Sequence, residues 1–218
     1  MLTQPEIAKI LLWGPSILNT LSLRAQILHN RELQSTHGLG IWPIWLMHMT
    51  MLSQCLYAIL LELPFVIRAT SCIDGTCVMI LIFQSMLYAP NGLVRARVFV
   101  LHGTLFALAP LLFVVGTRYP ASVGSVAGWM VVIITSVTQL PGVYLHWRRK
   151  SMHGYSIKGL VYGTISPVVV LWGCYQLTLP LPSWVWAVRL LMMRVVQWGV
   201  YVCYHVLGSP VSKGPHKG

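Results

Sequence analysis

The sequence predicts an all-α integral membrane protein with seven transmembrane helices, set out as two parallel triple-helix bundles joined by a linker helix. Three observations lead there. Apolar residues make up 56% of the chain, and the mean hydropathy is +0.70. Only 9% of residues are charged, against about 25% in a soluble domain, whose water-facing surface needs them. The apolar residues also gather into seven stretches near the roughly 20 residues that a helix needs to cross a bilayer.

Taken in order, the spans run over Ile7–Leu28, Leu39–Leu61, Asp74–Val94, Val98–Tyr119, Ser122–Leu145, Gly159–Leu179 and Trp184–Leu207. The N-terminus lacks the basic region and small-residue cleavage site of a secretory signal, so it reads as a retained first helix. Arg68 and Asp74 crowd the start of the third span. Cys72 and Cys77 bracket Ile-Asp-Gly-Thr, which reads as a tight turn. No Cys-x-x-Cys pair occurs, so the chain carries no zinc or thioredoxin-type signature. A disulfide across that turn needs an oxidising compartment, and free thiols are the simpler expectation. The tail from Gly208 to Gly218 holds Pro210, Lys213, Pro215 and Lys217 and reads as a short cytosolic end.

Fifteen Lys and Arg face four acids, Glu6, Glu32, Glu62 and Asp74, for a net charge of +11. No basic stretch alternates with exposed aromatics, so nucleic-acid binding is excluded; basic loops are what orient a membrane protein. With seven spans, the side of the N-terminus carries Lys9, Arg68 and Arg118. The other side carries Arg31, Arg95, Arg97, Arg148, Arg149, Lys150, Lys158, Lys213 and Lys217. The positive-inside rule then places the N-terminus outside or in a lumen and the C-terminus in the cytosol. Which membrane holds the chain is not encoded in these charges.

Two loops repeat at an offset of 116 residues. Ser35-Thr36-His37-Gly38 and Ser151-Met152-His153-Gly154 share Ser-x-His-Gly, each between a helix end and the next helix. At the same offset Ser22 pairs with Thr138 and Ile27 with Val143. Four helices separate the copies, so the two triple-helix units point the same way through the membrane. The division is then 1–94 for the first unit, 95–121 for the linker helix, 122–207 for the second unit and 208–218 for the tail. Parallel repeats are a transporter plan with the site at the repeat interface.

Residues Pro141 to Ser156 resemble the PQ-loop signature, a Pro-Gln pair near a helix end, a basic run, then Lys-Ser-x-x-Gly-x-Ser. Lys150, Ser151, Gly154 and Ser156 match it; Gly142 stands in place of the Gln. The first copy keeps Gln26, Ser35 and Gly38, with Ala25 in place of the Pro and Gly40 in place of the last Ser. The resemblance spans nearly the whole chain. It implies the fold of cystinosin-like exporters, SWEET-type sugar transporters and proteins of lipid-linked mannose utilisation, with an outside N-terminus. KDEL receptors share that fold. The resemblance constrains fold more than substrate.

Prolines inside spans remove a helix hydrogen bond and permit kinks. Pro15, Pro43, Pro141 and Pro167 are the candidate hinges, a role the SWEET-type resemblance also implies. At the 116 offset Pro141 and Pro167 fall on Ala25 and Met51, so the four are not a matched set. Polar side chains inside spans are costly and mark pathways. The candidate substrate-binding residues are Asn19, Gln26, Trp45, His48, Gln139, Tyr162, Ser166, Arg194 and Gln197. Arg194, placed near the middle of the seventh span, needs a partner: either an anion such as a substrate carboxylate or phosphate, or helix carbonyls and waters that make it a structural clamp, unless the span starts later and puts it at an interface. Interhelix bonding is the competing role for Asn, Ser and Gln. No acid lies near mid-span on these boundaries, so carboxylate-based proton coupling is not expected; either His48 or His102 carries the proton, or the protein is a facilitator.

The function expected is transport of a small polar solute (amino acid, sugar or organic anion) by alternating access. The alternative is a non-transporting receptor, or a helper of lipid-linked sugar use. No Ser-His-Asp set, HExxH or paired carboxylate is visible, so an enzyme is not expected. No cofactor or metal is expected. The partners are the solute and the lipid bilayer, with a homo-oligomer left open.

Overall fold

The computed structural model describes residues 3–34, 41–89, 91–149 and 157–203, and those residues are helical but for short connectors. The order is α1 (Gln4–Leu11), α2 (Trp13–Leu33), α3 (Ile41–Leu60), α4 (Phe65–Leu87), α5 (Gly92–Arg118), α6 (Pro120–Arg149), α7 (Ile157–Gln176) and α8 (Leu181–Tyr201). Among the described residues, Phe65–Leu87, Gly92–Arg118 and Pro120–Thr138 are long and apolar enough to cross a membrane, and Ile44–Leu60 is a shorter apolar helix.

The first expected span is two helices. Pro15 has no N–H to bond Leu11, and its ring clashes with that carbonyl, so the chain breaks at Leu12 and restarts at Trp13. The Ser16 hydroxyl donates to the Leu12 carbonyl at 3.1 Å. A capping contact starts α1, where the Thr3 amide donates to the Glu6 carboxylate at 2.7 Å.

The third span corrects the expectation. It begins at Phe65, not Asp74, and so contains Arg68, Cys72, Asp74 and Cys77. The stretch read as a turn is helix interior. Its hydroxyls satisfy themselves within the helix: Thr70 donates to Val66, Ser71 to Ile67 and Thr76 to Cys72, at 2.8, 2.7 and 2.9 Å. Polar residues that bond back to the preceding turn cost a membrane helix little. Cys72 and Cys77 are free thiols, Cys72 exposed and Cys77 half-buried.

The connectors before α4 and α8 have the same geometry. Glu62 and Thr178, 116 positions apart, both adopt left-handed backbone, at φ 49° and 47°. The next residues, Leu63 and Leu179, are buried and donate back to the Ala58 and Cys174 carbonyls at 3.0 and 3.1 Å. Pro64 and Pro180 then cap α4 and α8. The underlying sequences are Leu61-Glu62-Leu63-Pro64 and Leu177-Thr178-Leu179-Pro180. This is a second copy of the 116-residue offset, and reading the loops alone misses it.

Packing follows the same relation. α4 packs against both α2 and α3, and α8 against both α6 and α7. α5 touches α3, α4 and α6. Across the middle, α3 lies along α6, and α1 and α2 lie along α7. Two close approaches fix this seam. Leu12 fills the notch at Gly173, where an added Cβ would lie 2.9 Å from its Cδ2, and Tyr57 fills the notch at Gly128 at 2.8 Å. Leu12 and Gly128 are 116 apart, as are Tyr57 and Gly173, so the two contacts exchange large and small partners. The core they belong to joins Leu56, Tyr57, Ala58, Leu60 and Leu63 to Ala127, Cys174 and Leu179. Large apolar side chains such as Phe65, Phe83, Phe99 and Val114 face outward, as lipid contact requires.

Candidate functional site

Asp74 is the tenth of the 23 residues of α4 and is buried, so a carboxylate does lie at mid-helix, contrary to the expectation from the shorter span. Two donors on α2 hold it: Asn19 Nδ2 to Oδ2 at 2.6 Å and Thr20 Oγ1 to Oδ1 at 2.7 Å. Helical packing of α2 on α4 supplies both, because Asn19 and Thr20 sit half a span below the break at Leu12. Asn19 itself is exposed. Further along the same helix pair, Gln84 accepts from Asn30 at 3.3 Å and donates to the Ile27 carbonyl at 3.0 Å.

The other half carries the opposite charge. Arg189, the ninth residue of the 21-residue α8, donates from Nη1 to the Ser136 hydroxyl at 3.2 Å. Its Nε and Nη2 are buried and have no hydrogen-bond partner among the described residues. Ser136 meanwhile donates to the Val132 carbonyl at 2.6 Å. Thr20 and Ser136 are 116 positions apart. The same hydroxyl position thus donates to an anion in one half and accepts from a cation in the other. At 1.5 Å per residue, Asp74 and Arg189 stand about 12–14 Å from the starts of their helices, so each lies near the middle of its own helix.

A third polar group joins α3 to α5. His48 and His102 are buried, with Nδ1 atoms 3.0 Å apart and rings stacked at 5.2 Å. Phe106 packs on His48 at 4.9 Å between centroids. One Nδ1 must carry a proton and the other must accept it. His102 Nε2 and Trp45 Nε1 are buried without a partner among the described residues.

The sequence-derived candidates therefore divide. Asn19 shares Asp74 with Thr20, two residues absent from the sequence-derived site, and His48 meets His102, which the sequence offered only as a proton carrier. Trp45 is half-buried, edge-on to Trp42 at 5.8 Å. Arg194 donates to Gln197 on its own helix at 2.6 Å. Ser166 is half-buried beside Pro167, which is fully buried. Pro15 sits in the first turn of α2, where it makes the break. The side chains of Gln26, Pro43, Gln139, Pro141 and Tyr162 lie outside the described part of their helices. Ser35, Gly38, Lys150, Ser151, Gly154 and Ser156 lie outside the described residues, as does the 208–218 tail. The sequence-derived site leaves out Thr20, Ser136 and Arg189, although Ser136 is legible as a polar residue one turn from Gln139 inside a span. The Leu-x-Leu-Pro pair signals where α4 and α8 begin, and from there both charges fall at mid-helix.

No protein-family model and no curated protein sequence matches the chain. Among solved structures it is similar to a eukaryotic SWEET transporter determined at 3.7 Å resolution, with 13% identity over 91% of this chain and 98% of that one, at a TM-score of 0.74. The likeness establishes the fold, an all-helical membrane architecture of the SWEET type.

Proposed function

We propose that the chain is a membrane transporter that moves a small polar solute by alternating access between two halves. The halves are 1–94 and 122–207, with the helix of 95–121 as linker and 208–218 as tail, giving seven spans in a 3+1+3 order with the N-terminus outside or lumenal and the C-terminus cytosolic. The repeated connectors and the exchanged Leu12–Gly173 and Tyr57–Gly128 contacts support two units related by an axis along the membrane normal. The resemblance of residues 141–156 to the PQ-loop signature agrees with it, and that signature is the family this reading assigns.

One observation carries the transport reading. A chain with the fold of a SWEET transporter holds an Asn19–Thr20–Asp74 group in one half and a Ser136–Arg189 group in the other, both at mid-helix. A central Arg costs at least about 2.5–3.5 kcal/mol on insertion scales, and no described residue offsets Nε and Nη2. A solute path is a use for such groups that a purely structural bundle lacks. No catalytic step belongs to this reading.

Purified protein in proteoliposomes tests it. Uptake of amino acids, sugars and organic acids is compared with empty vesicles, with and without a pH gradient, because Asp74 puts a carboxylate at mid-helix. Saturable uptake of one class above the empty vesicles is expected. Saturable binding with no flux in any condition would instead make the chain a receptor on the same fold.

A further inference from the structure

We infer that a cavity at one end of the seam between the halves binds the headgroup of a phospholipid with a primary ammonium, its phosphate on Lys9 and its ammonium on Glu62; the inference does not depend on the transport reading.

The cavity, of about 480 Å³, is lined by Lys9, Trp13, Glu62, Phe65 and Leu177 among others. It lies where α1 breaks to α2, where α3 turns into α4 and where α7 ends. Its volume is in the range of small-molecule sites, about 300–1,000 Å³. Leu177 comes from the second half and the other four from the first, so an occupant touches both. The wall is apolar apart from its two charges, which are of opposite sign. Among the described residues, no hydrogen bond or ion pair engages the Lys9 ammonium or the Glu62 carboxylate. Glu6, one turn before Lys9, accepts from the Thr3 amide and hydroxyl instead.

The repeat shows that the fold does not need these charges. At the 116-residue offset Trp13 pairs with Trp129, Phe65 with Leu181 and Leu177 with Leu61, so the apolar frame recurs. Lys9 pairs with Ser125 and Glu62 with Thr178. Thr178 adopts the same left-handed backbone as Glu62, at φ 47° against 49°, so the connector does not require an acid. In that second copy Leu61 seats in the notch at Gly124, where an added Cβ would lie 2.7 Å from its Cγ. Both charges are therefore confined to one copy, and both line one cavity.

The chemistry of the wall selects the ligand. Lys9 offers three donors and no acceptor, which suits a phosphate. Glu62 only accepts, so it favours a cation that donates; a primary ammonium does and a quaternary one does not. Trp13 has the amphipathic ring that sits at headgroup level in membrane proteins. Phe65, the first residue of α4, lines the cavity and is 71% exposed, and Ile10 beside Lys9 is exposed as well. Acyl chains cover such side chains, and a soluble solute leaves them bare. An anionic headgroup would set its phosphate near Glu62 without a cation to offset it.

Native mass spectrometry of the purified full chain in detergent tests the site. The probes are phosphatidylethanolamine, phosphatidylcholine and phosphatidylglycerol of identical acyl chains, and glycerophosphoethanolamine, the headgroup without chains. Phosphatidylethanolamine is expected to bind about 3- to 10-fold more tightly than either other lipid, the worth of one partly exposed charge-assisted contact. Lys9→Ser should weaken phosphatidylethanolamine and phosphatidylcholine alike. Glu62→Thr should bring phosphatidylethanolamine down to phosphatidylcholine and strengthen phosphatidylglycerol. Each variant installs the residue that the second copy carries at that position, and Glu62→Gln serves if Glu62→Thr does not fold. Equal binding of the three lipids by the unaltered chain, or variants that leave their order unchanged, overturns the site. Glycerophosphoethanolamine binding as tightly as phosphatidylethanolamine assigns the cavity to a soluble phosphodiester and overturns the lipid.

Discussion

A carboxylate at mid-helix persists only where donors hold it, and Asp74 has one donor for each oxygen. Removing Asn19 takes away a charge-assisted bond and leaves a buried oxygen short of a partner. Asn19→Ala should therefore destabilise the protein by about 1–2 kcal/mol, moderated because Asn19 is partly solvated. In an Asp74→Asn background the same change should cost much less, which thermal unfolding of the four proteins of a double-mutant cycle reads directly. Additive effects would show that the two side chains are neighbours without mutual dependence. The sequence hid Asp74 for a physical reason. Arg68, Asp74 and the Cys-bracketed Ile-Asp-Gly-Thr stretch lower local hydropathy and resemble a turn, whereas the hydroxyls of Thr70, Ser71 and Thr76 in fact bond to their own helix. Arg194 drew attention because it is charged and internal, yet among the described residues it is Arg189 whose buried Nε and Nη2 have no hydrogen-bond partner, a distinction only side-chain packing makes.

At the scale of elements, the repeated connectors store strain at one residue each. Thr178 is β-branched and left-handed, at φ 47°, a conformation that crowds its Cβ against the following carbonyl. Thr178→Gly should raise stability by up to about 1 kcal/mol, the relief of that crowding less the entropy cost of glycine. A fall in unfolding temperature would mean that the Thr178 side chain supports the connector. The helix seam behaves in the opposite sense. Gly128→Ala would press a Cβ against the Tyr57 ring at 2.8 Å and Pro182 Cβ at 2.9 Å, both stiff neighbours. It should cost about 1–3 kcal/mol, and Gly173→Ala less, because the Leu12 tip can rotate. Equal effects in melting experiments would show that Tyr57 also moves aside. α6 runs through Pro141; Pro141→Ala should restore a helix bond and leave folding intact while lowering flux if that position works as a hinge. Unchanged uptake at unchanged expression would confine Pro141 to a tolerated kink.

For the molecule as a whole, the all-helical architecture was legible because lipid leaves few solutions: apolar stretches of span length become helices. Six of the seven spans read from hydropathy have a described helix that begins or ends within several residues of them, and the third departs because its polar residues satisfy themselves internally. The repeat was legible in part. Ser-x-His-Gly marked it in the loops, but the Leu-x-Leu-Pro connectors carry it in the structure, where a left-handed residue, a buried Leu and a capping Pro recur together. The site was the least legible, since which polar groups meet depends on how α4 sits on α2 and α8 on α6. A cytosol-only fluorescent tag placed after Gly218 should light up and one before Met1 should stay dark; the reverse pattern contradicts the orientation.

The central claim is that a water-accessible path crosses the middle of the bundle between the two halves. Single cysteines at Thr20 and Ser136, in a chain whose own cysteines are replaced by alanine, test it most directly with a membrane-impermeant thiol reagent applied to each face of sealed proteoliposomes of known orientation. The account predicts that both positions react from both faces and that a transported solute protects them. Failure of either reagent side to label both positions in folded protein would show a dry seam, and the path would not exist.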